Sequence, residues 1–276
     1  MLNVGIDDSA TATQMSEGWA FILLPQSGVQ QLQNEAAGLS ATPFHASSSS
    51  KRNLAKYERF LTAVRNVVAK SEPHLLVHVF DDPSWHQGLG DIGKKLIEMG
   101  QAALKTDQIQ VEPRVEEALK HMLPPLLSLQ RISSHRGLQN DQVEVWLDES
   151  GKTRDFGSMR VGAGLSISAV GIAKSLYNAY RATNFPSSPE MVRNGLHVLP
   201  DSQSILIQAA DVFGNFAAAC AAWKLGATNI RQLRGEVFER VFGDQDLSQV
   251  LRSLSLQGDH LEVALRVPGG LKLEIS

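Results

Sequence analysis

The chain has 276 residues, of which 43% are hydrophobic and 20% are charged, and its formal net charge is −3. These proportions are typical of a globular protein and exclude a mainly disordered chain. The slightly acidic balance excludes a polybasic coat for nucleic acid, although it is compatible with a local basic patch. Because Cys220 is the only cysteine, the sequence allows no internal disulfide and no cysteine-based zinc cluster.

The N-terminus and the apolar runs favour a soluble, cytoplasmic protein. Residues 1–7 lack the basic and apolar segments of a signal peptide. The longest uninterrupted apolar run, residues 216–223, is much shorter than the roughly 20 residues that cross a membrane. We therefore expect no membrane partner and a cytoplasmic location.

The N-terminal part of the chain predicts strands followed by a long helix. Residues 2–7 and 19–24 are predicted strands, residues 29–37 a short helix, and residues 42–46 a third, edge strand. Apolar residues that recur at steps of three and four predict the clearest helix of the chain. These residues are Leu54, Tyr57, Phe60, Leu61, Val64, Val67 and Val68.

The middle of the chain alternates between strand and helix patterns. Residues 75–80 predict a buried strand, and residues 85–132 predict a helical insertion that Pro113 and the pair at 124–125 interrupt. Alternating apolar and polar residues predict a further strand over residues 143–147. The size of the helical stretch indicates an insertion or cap instead of part of a sheet.

The last predicted elements are helices, a short strand and a terminal hairpin. Helices are expected over residues 162–182 and 205–225, with a strand over residues 196–199 between them. Two further amphipathic helices and a β-hairpin, with strands over residues 261–267 and 271–275, follow Thr228.

This order of elements favours an α/β fold with a mixed sheet flanked by helices. We expect one domain over residues 1–227, which contains the helical insertion. Residues 228–276 are expected to form a C-terminal appendage of helices and the hairpin.

Acidic residues close three of the predicted strands. The pairs are Asp7 and Asp8, Asp81 and Asp82, and Asp148 and Glu149. Strand ends in an open α/β sheet face the crevice in which ligands bind. Carboxylates crowded there repel one another unless they are protonated or bridged by a cation, and Mg²⁺ prefers oxygen ligands. Aspartate also favours turns, which accounts for any single pair, whereas three pairs together indicate a site.

A polar stripe crosses the otherwise apolar helix predicted at residues 205–225. Gln208, Asp211 and Asn215 lie at steps of three and four, so they share one face. A buried carboxylate needs a cation or strong hydrogen bonds, and the two amides could orient it or a substrate. A stripe that simply faces water is the alternative. His45 is a candidate general acid–base beside this site, the alternative being a structural histidine in a loop.

Several of these segments resemble the domain of unknown function 3800 family. Residues 4–10, VGIDDSA, resemble that family's N-terminal I-D-E-S-G strand end, and residues 207–212, IQAADV, resemble its L-Q-x-A-D-L helix. Asp201 and Ser202 precede this helix as the family's D-S does, and residues 145–149, VWLDE, are similar to its internal strand ending in D-E. The resemblance covers roughly the first 225 residues.

The resemblance implies a ribonuclease H-like fold and, by analogy, a divalent-metal nuclease site. Asp7, Asp148 and Asp211 would be its carboxylates, with Asp82 competing with Asp148 for one place. Asp8 stands where the family has glutamate. The full set of expected metal ligands is Asp7, Asp8, Asp82, Asp148 and Asp211, and the expected supporting residues are Gln208, Asn215, His45 and Asp201.

Two functions of different class follow as hypotheses. The first is a Mg²⁺- or Mn²⁺-dependent phosphodiester hydrolase, a nuclease whose substrate is DNA, RNA or a nucleotide. The second is a non-catalytic binding or assembly subunit in which the acidic site has decayed, as the acidic net charge and the altered first motif favour. In that case the appendage at residues 228–276 would pair with a protein partner or a second copy of the chain.

Overall fold

The computed structural model of the chain shows two units. The residues that the structure describes are 1–9, 18–80, 94, 97–98, 101, 107–135, 138, 142–149, 157–161, 165–224, 226–243, 261–266 and 272–275. The first unit comprises Met1–Asp82, Glu144–Asp148 and Leu199–Ser276, and the second comprises Pro83–Val143 and Glu149–Val198. The C-terminal tail therefore groups with the N-terminal strands.

The protein is α/β, with a mixed sheet flanked by helices, which confirms the predicted class. The strands are β1 Leu2–Ser9, β2 Gly18–Pro25, β3 Leu75–Phe80, β4 Ile109–Val111, β5 Gln142–Asp148, β6 Ser158–Val161, β7 Leu165–Ser168, β8 Glu190–Leu199, β9 Leu261–Arg266 and β10 Lys272–Ile275. The helices are α1 Gln26–Leu39, α2 Leu54–Lys70, α3 Pro113–His135, α4 Ala169–Asn184, α5 Ile205–Lys224 and α6 Ile230–Phe242.

The larger sheet has the strand order β10–β9–β3–β2–β1–β5–β8, and a smaller sheet has the order β4–β6–β7. β1 pairs antiparallel with β2, β2 with β3, and β3 with β9. The C-terminal ends of β1 and β5 lie side by side at the same end of the sheet, because ligand oxygens of Asp7 and Asp148 are within 4.8 Å of each other. These two neighbouring strands therefore run in the same direction, which makes the sheet mixed.

One face of the sheet is covered by the helices of the first unit. Ala20, Ile22 and Leu24 alternate along β2 and share a buried core with residues of α1, α2, α5 and α6. Register places Gly5 opposite Ile22 and Asp7 opposite Ala20, so both residues of β1 lie on this helix-covered face. Asp7 thus points toward the helices, although it is a charged residue type.

Helix α5 lies in the middle of this core. Its length and composition would allow it to cross a membrane, but 78% of its most apolar 18-residue stretch is buried inside the protein. It is therefore a core helix of the first unit, and the cytoplasmic location stays a prediction. The helix predicted from the repeat between Leu54 and Val68 is confirmed as α2, Leu54–Lys70, and the helix predicted over residues 205–225 is confirmed as α5, Ile205–Lys224.

The predicted edge strand at residues 42–46 is wrong. Residues 43–45 have no regular structure, and Ala46–Ser48 form a 3-10 turn. The physical reason is that backbone groups here bond to side chains of α5 instead of to a neighbouring strand, as the N–H groups of Phe44 and Ala46 do.

In the second unit, the helix predicted from residue 162 begins only at Ala169. Strands β6 and β7 precede it as an antiparallel pair, and Ser168 Oγ accepts the N–H of Gly171 at 3.1 Å to cap the helix. β8 is also longer than the predicted strand at residues 196–199, with ten residues. Short polar strands carry little periodicity, which is why the pattern missed them.

Proline does not divide the helical stretch as predicted. Pro113 is the first residue of α3, a position where its missing N–H costs nothing, and the pair at 124–125 lies inside that helix. A row of fully buried apolar residues on α3 stabilises the helix past both prolines. These include Val115, Leu119, Met122 and Leu126. β4 before Pro113 was not predicted.

The terminal hairpin is confirmed, because β9 and β10 pair antiparallel and β9 adds to β3. α6 matches the first of the two predicted tail helices. The second predicted tail helix, Asp82 and most of residues 85–106 lie outside the described residues.

Candidate metal centre

The site begins with the close approach of α5 to β1. A Cβ atom on Gly5 would lie 2.4 Å from the carbonyl carbon and oxygen of Leu206, closer than any side chain tolerates. Glycine at this position therefore lets the helix backbone lie directly on the strand. Packing in the buried core stabilises this position of α5 on β1.

This register brings Asp7 and Asp211 together. Asp7 lies two residues beyond Gly5 on the same face of the strand, a rise of about 7 Å. Asp211 lies five residues beyond Leu206 along the helix, a rise of about 7.5 Å. Asp211 is therefore close enough for its charge to raise the pKa of Asp7, although the ligand atoms of the two residues belong to separate groups.

Three carboxylates form a strand-end cluster at the C-terminal ends of β1 and β5. It consists of Asp7, Asp8 and Asp148, each of which offers an oxygen within 4.8 Å of the others. On β5 the alternation buries Val145 and Leu147 on one face and leaves Asp148 on the other. Asp7 is only 4% exposed.

Burial and the charges of neighbouring carboxylates raise the pKa values of Asp7 and Asp148. The pKa of Asp7 is raised well above its ordinary value, first by burial and then by the charges of Asp211, Asp148 and Asp8. Burial, with the charges of Asp201 and Asp8, raises the pKa of Asp148 to about 7, while a backbone hydrogen bond from Asp201 acts in the opposite direction. These carboxylates need a proton or a cation to coexist.

A second group, the histidine cluster, adjoins it. It consists of His45, Asp201 and Asp211, whose ligand atoms also lie within 4.8 Å of one another. His45 Nδ1 contacts Asp201 Oδ2, and the two side chains are 35% and 19% exposed. Asp201 belongs to the 3-10 turn Asp201–Gln203 that leads into α5. Solvent therefore reaches this cluster.

Hydrogen bonds fix Asp211 on two sides. Its Oδ2 accepts the N–H of Ala46 at 2.7 Å, and its Oδ1 accepts from Asn215 Nδ2 at 2.8 Å. Burial raises the pKa of Asp211 to about 6, although the bond from Ala46 and the charge of His45 lower it. Asn215 thus orients Asp211 directly.

The segment that carries His45 is held by side chains from two helices. Gln208 Oε1 on α5 accepts the N–H of Phe44 at 3.0 Å, and the hydroxyl of Tyr57 on α2 donates to the carbonyl of His45 at 2.7 Å. The Phe44 ring stacks on Phe60 with centroids 3.9 Å apart. Gln208 therefore positions the backbone beside Asp211 and does not contact that carboxylate in the bonds described.

Divalent cations fit both clusters. The strand-end cluster offers only oxygen ligands, the donor set that suits Mg²⁺ and Mn²⁺. The histidine cluster adds an imidazole, which suits transition metals better than Mg²⁺. Because Asp7 is nearly completely buried among other carboxylates, a cation is the partner that would let all of them ionise.

The sequence-predicted residues divide between these two clusters. Asp7, Asp8 and Asp148 lie in one, and Asp211, Asp201 and His45 in the other. One contributor that sequence reasoning missed is Arg234 on α6, which donates to the segment carrying His45. The sequence pattern does not single out Arg234, because an arginine on a predicted amphipathic helix is usually a solvated residue.

Comparisons of the chain with family models, with curated proteins and with solved structures give no match.

Proposed function

We propose that the protein is a divalent-metal-dependent phosphodiester hydrolase, a nuclease similar to the domain of unknown function 3800 family. One observation carries the proposal: two adjacent sets of three metal-ligand atoms, each within 4.8 Å, in one unit of the chain. Paired cations that clamp the two oxygens of an in-line displacement are the usual machinery of phosphodiester cleavage.

The order of strands supports a ribonuclease H-like core. β3, β2 and β1 are consecutive and antiparallel, and β5 and β8 follow on the other side of β1. Acidic residues lie at the ends of two neighbouring strands, β1 and β5, and on α5, which packs against β1. This matches the places that the short motifs imply.

The residues of the chain have separate tasks in this proposal. Asp7, Asp8 and Asp148 would hold one cation, and Asp211 with Asp201 would hold the second. When bound, the cations supply the hydroxide nucleophile and stabilise the charge that builds on the phosphate. His45 contacts Asp201 through Nδ1, so its imidazole lies beside the carboxylates that would hold the second cation.

A second candidate function is assembly without catalysis. Among the described strands, β10 is at the edge of the larger sheet, beyond β9. An edge strand offers backbone groups to a strand of a protein partner or of a second copy of the chain. In this alternative the carboxylates would stay protonated and the clusters would bind no cation.

A cleavage assay tests the proposal. The full-length protein is incubated with Mg²⁺ or Mn²⁺ and with single- and double-stranded DNA and RNA, and Asp7→Asn is the test variant. We expect cleavage that EDTA abolishes and that Asp7→Asn lowers by about 100-fold or more, because a cation contributes several kcal/mol. Asp107→Asn, at an exposed position of the second unit, is the matched control and should leave the rate unchanged. Wild-type protein that cleaves none of the four with either cation would favour the assembly function.

A further inference from the structure

Arg234 on α6 reaches the segment that carries His45. Its Nε donates to Ser49 Oγ at 2.7 Å, and its Nη2 donates to the carbonyl of Ala46 at 2.7 Å. Ser49 Oγ in turn donates to the same carbonyl at 2.8 Å. With the N–H of Ser49, which donates to it at 3.0 Å, the carbonyl of Ala46 accepts three hydrogen bonds, one of them from the Arg234 cation.

Ala46 links Arg234 to Asp211. The N–H of Ala46 donates to Asp211 Oδ2, while its carbonyl accepts from Arg234. The N–H of Ala46 is thus bound by a carboxylate and its carbonyl by a guanidinium. Hydrogen bonds to charged groups are stronger than those between neutral groups. His45, the preceding residue, is held in the same stretch of backbone.

The position of the guanidinium is set by helix packing. Gly235, the next residue, lets α6 approach α5, since a Cβ there would lie 3.0 Å from the Cα of Cys220. The guanidinium carbon lies 5.9 Å from the centre of the Phe216 ring on α5. Arg234 is therefore anchored at a fixed distance from the helix that carries Asp211.

We propose that Arg234 is a positioning residue of the histidine cluster. It fixes Ala46, and through Ala46 it holds Asp211 and His45 at the spacing that binds a cation. This role rests on the proposed metal-dependent function. Outer partners that orient metal ligands are worth about 10- to 100-fold in metal affinity, and we expect Arg234 to contribute on that scale.

Two measurements on the full-length protein test this role. Arg234→Gln is compared with Arg231→Gln, which removes the same charge from an exposed position of the same helix. Titration with Mn²⁺, followed by calorimetry, should show binding about 10- to 100-fold weaker in Arg234→Gln and unchanged in Arg231→Gln. Without any metal, hydrogen exchange of the Ala46 amide should become faster in Arg234→Gln, while amides in the middle of α5 keep their rates.

Conservative variants separate positioning from folding. Arg234→Lys keeps the charge but loses the planar guanidinium that donates from Nε to Ser49 and from Nη2 to Ala46, so its Mn²⁺ affinity should fall between those of wild type and Arg234→Gln. Ser49→Ala removes the acceptor of the Nε proton and should also weaken Mn²⁺ binding. If Arg234→Gln does not fold, these two variants decide the question by the same pair of measurements.

The outcomes distinguish this role from the proposed function. Wild-type protein that binds Mn²⁺ while Arg234→Gln equals Arg231→Gln in both measurements overturns the role of Arg234 alone. Wild-type protein that binds no Mn²⁺ overturns the metal-dependent function and, with it, this role. Weaker Mn²⁺ binding together with faster exchange at Ala46 supports both.

Discussion

The two clusters of the first unit use the same residue type in opposite ways. In the strand-end cluster, Asp7 and Asp148 are desolvated and face other carboxylates, so burial and repulsion both raise their pKa values. In the histidine cluster, Asp211 accepts hydrogen bonds from Ala46 and Asn215 and lies near an imidazole. In the strand-end cluster the carboxylates repel one another until a cation binds. In the histidine cluster, hydrogen-bond donors of the protein hold Asp211 in place.

This difference indicates different parts in cation binding. The strand-end cluster gains stability when a cation arrives, because the cation replaces mutual repulsion by attraction. The histidine cluster gains less, but its ligands are already oriented, which favours affinity and selectivity. We therefore expect Mn²⁺ to bind both clusters and Mg²⁺ to prefer the strand-end cluster.

The largest expected effect comes from removing the register that both clusters share. Gly5→Ala places a Cβ against the backbone at Leu206, which cannot move as a flexible side chain could. Overpacking costs about 3 kcal/mol at the upper end of its usual range, and each kcal/mol lowers the melting midpoint by about 2–4 °C. Thermal unfolding should thus show a fall of about 6–12 °C, and the variant should lose Mn²⁺ binding at both clusters.

Gly38→Ala is the control for that substitution. Gly38 lies near the end of α1 with nothing within 4 Å of an added Cβ, and alanine favours helix more than glycine does. Its midpoint should stay the same or rise. A Gly5→Ala protein as stable as Gly38→Ala would contradict the close approach of α5 to β1.

Asp7→Asn separates the two clusters by their response to metal. Removing one buried charge relieves repulsion, so the midpoint of the metal-free protein should rise or stay the same. Mn²⁺ at 100 times its dissociation constant adds about 2.7 kcal/mol to wild type, which corresponds to a rise of roughly 5–10 °C. The variant should lose most of this rise, as differential scanning fluorimetry can measure. A lower metal-free midpoint with no Mn²⁺ effect on wild type would mean that Asp7 has a structural role.

The pH dependence sharpens the comparison further. Burial raises the folded-state pKa of Asp7, and raises that of Asp148 to about 7, so the folded protein binds more protons than the unfolded chain between pH 4 and about 7. The stability of the metal-free protein should therefore fall as pH rises through this window. Cations displace these protons, so Mn²⁺ binding should be about tenfold weaker at pH 6 than at pH 8 from Asp148 alone, with its pKa of about 7. Calorimetry in buffers of different ionisation enthalpy checks the proton release, and equal affinity at both pH values would contradict the raised pKa.

The smallest effect concerns the histidine cluster by itself. Asn215→Ala removes the donor to Asp211 Oδ1, which should cost about 1–2 kcal/mol and lower the midpoint by a few degrees. Mn²⁺ binding at the histidine cluster should weaken by about tenfold while the strand-end cluster keeps its affinity. Asn66→Ala, at an exposed position of α2, is the control for loss of an amide. Equal weakening at both clusters would show that they do not act separately.

The sequence predicted the elements whose patterns are strong. The apolar repeat of α2, the alternation in β5 and the apolar composition of α5 each appear in the structure where the pattern places them. The polar stripe on α5 also indicated that Asp211 needs a partner. These features depend on residues close together in the chain, which is why a pattern reveals them.

The remaining features depend on contacts between distant residues. The segment around His45 has the composition of an edge strand, yet its N–H groups bond to α5, more than 160 positions away. The proximity of Asp211 on α5 to Asp7 on β1 depends on how closely α5 lies on Gly5, which no local pattern encodes. Arg234 acts through the backbone of Ala46, a contact that only the folded chain reveals.

Anomalous scattering from a crystal soaked in Mn²⁺ tests the central claim most directly. Two peaks are expected in the first unit, one among Asp7, Asp8 and Asp148 and one among His45, Asp201 and Asp211. Ligand distances should be near those of oxygen and imidazole bound to a divalent cation. A single peak at the strand-end cluster would remove the second cation position. No peak at either cluster at a pH above 7 would contradict the metal-dependent function.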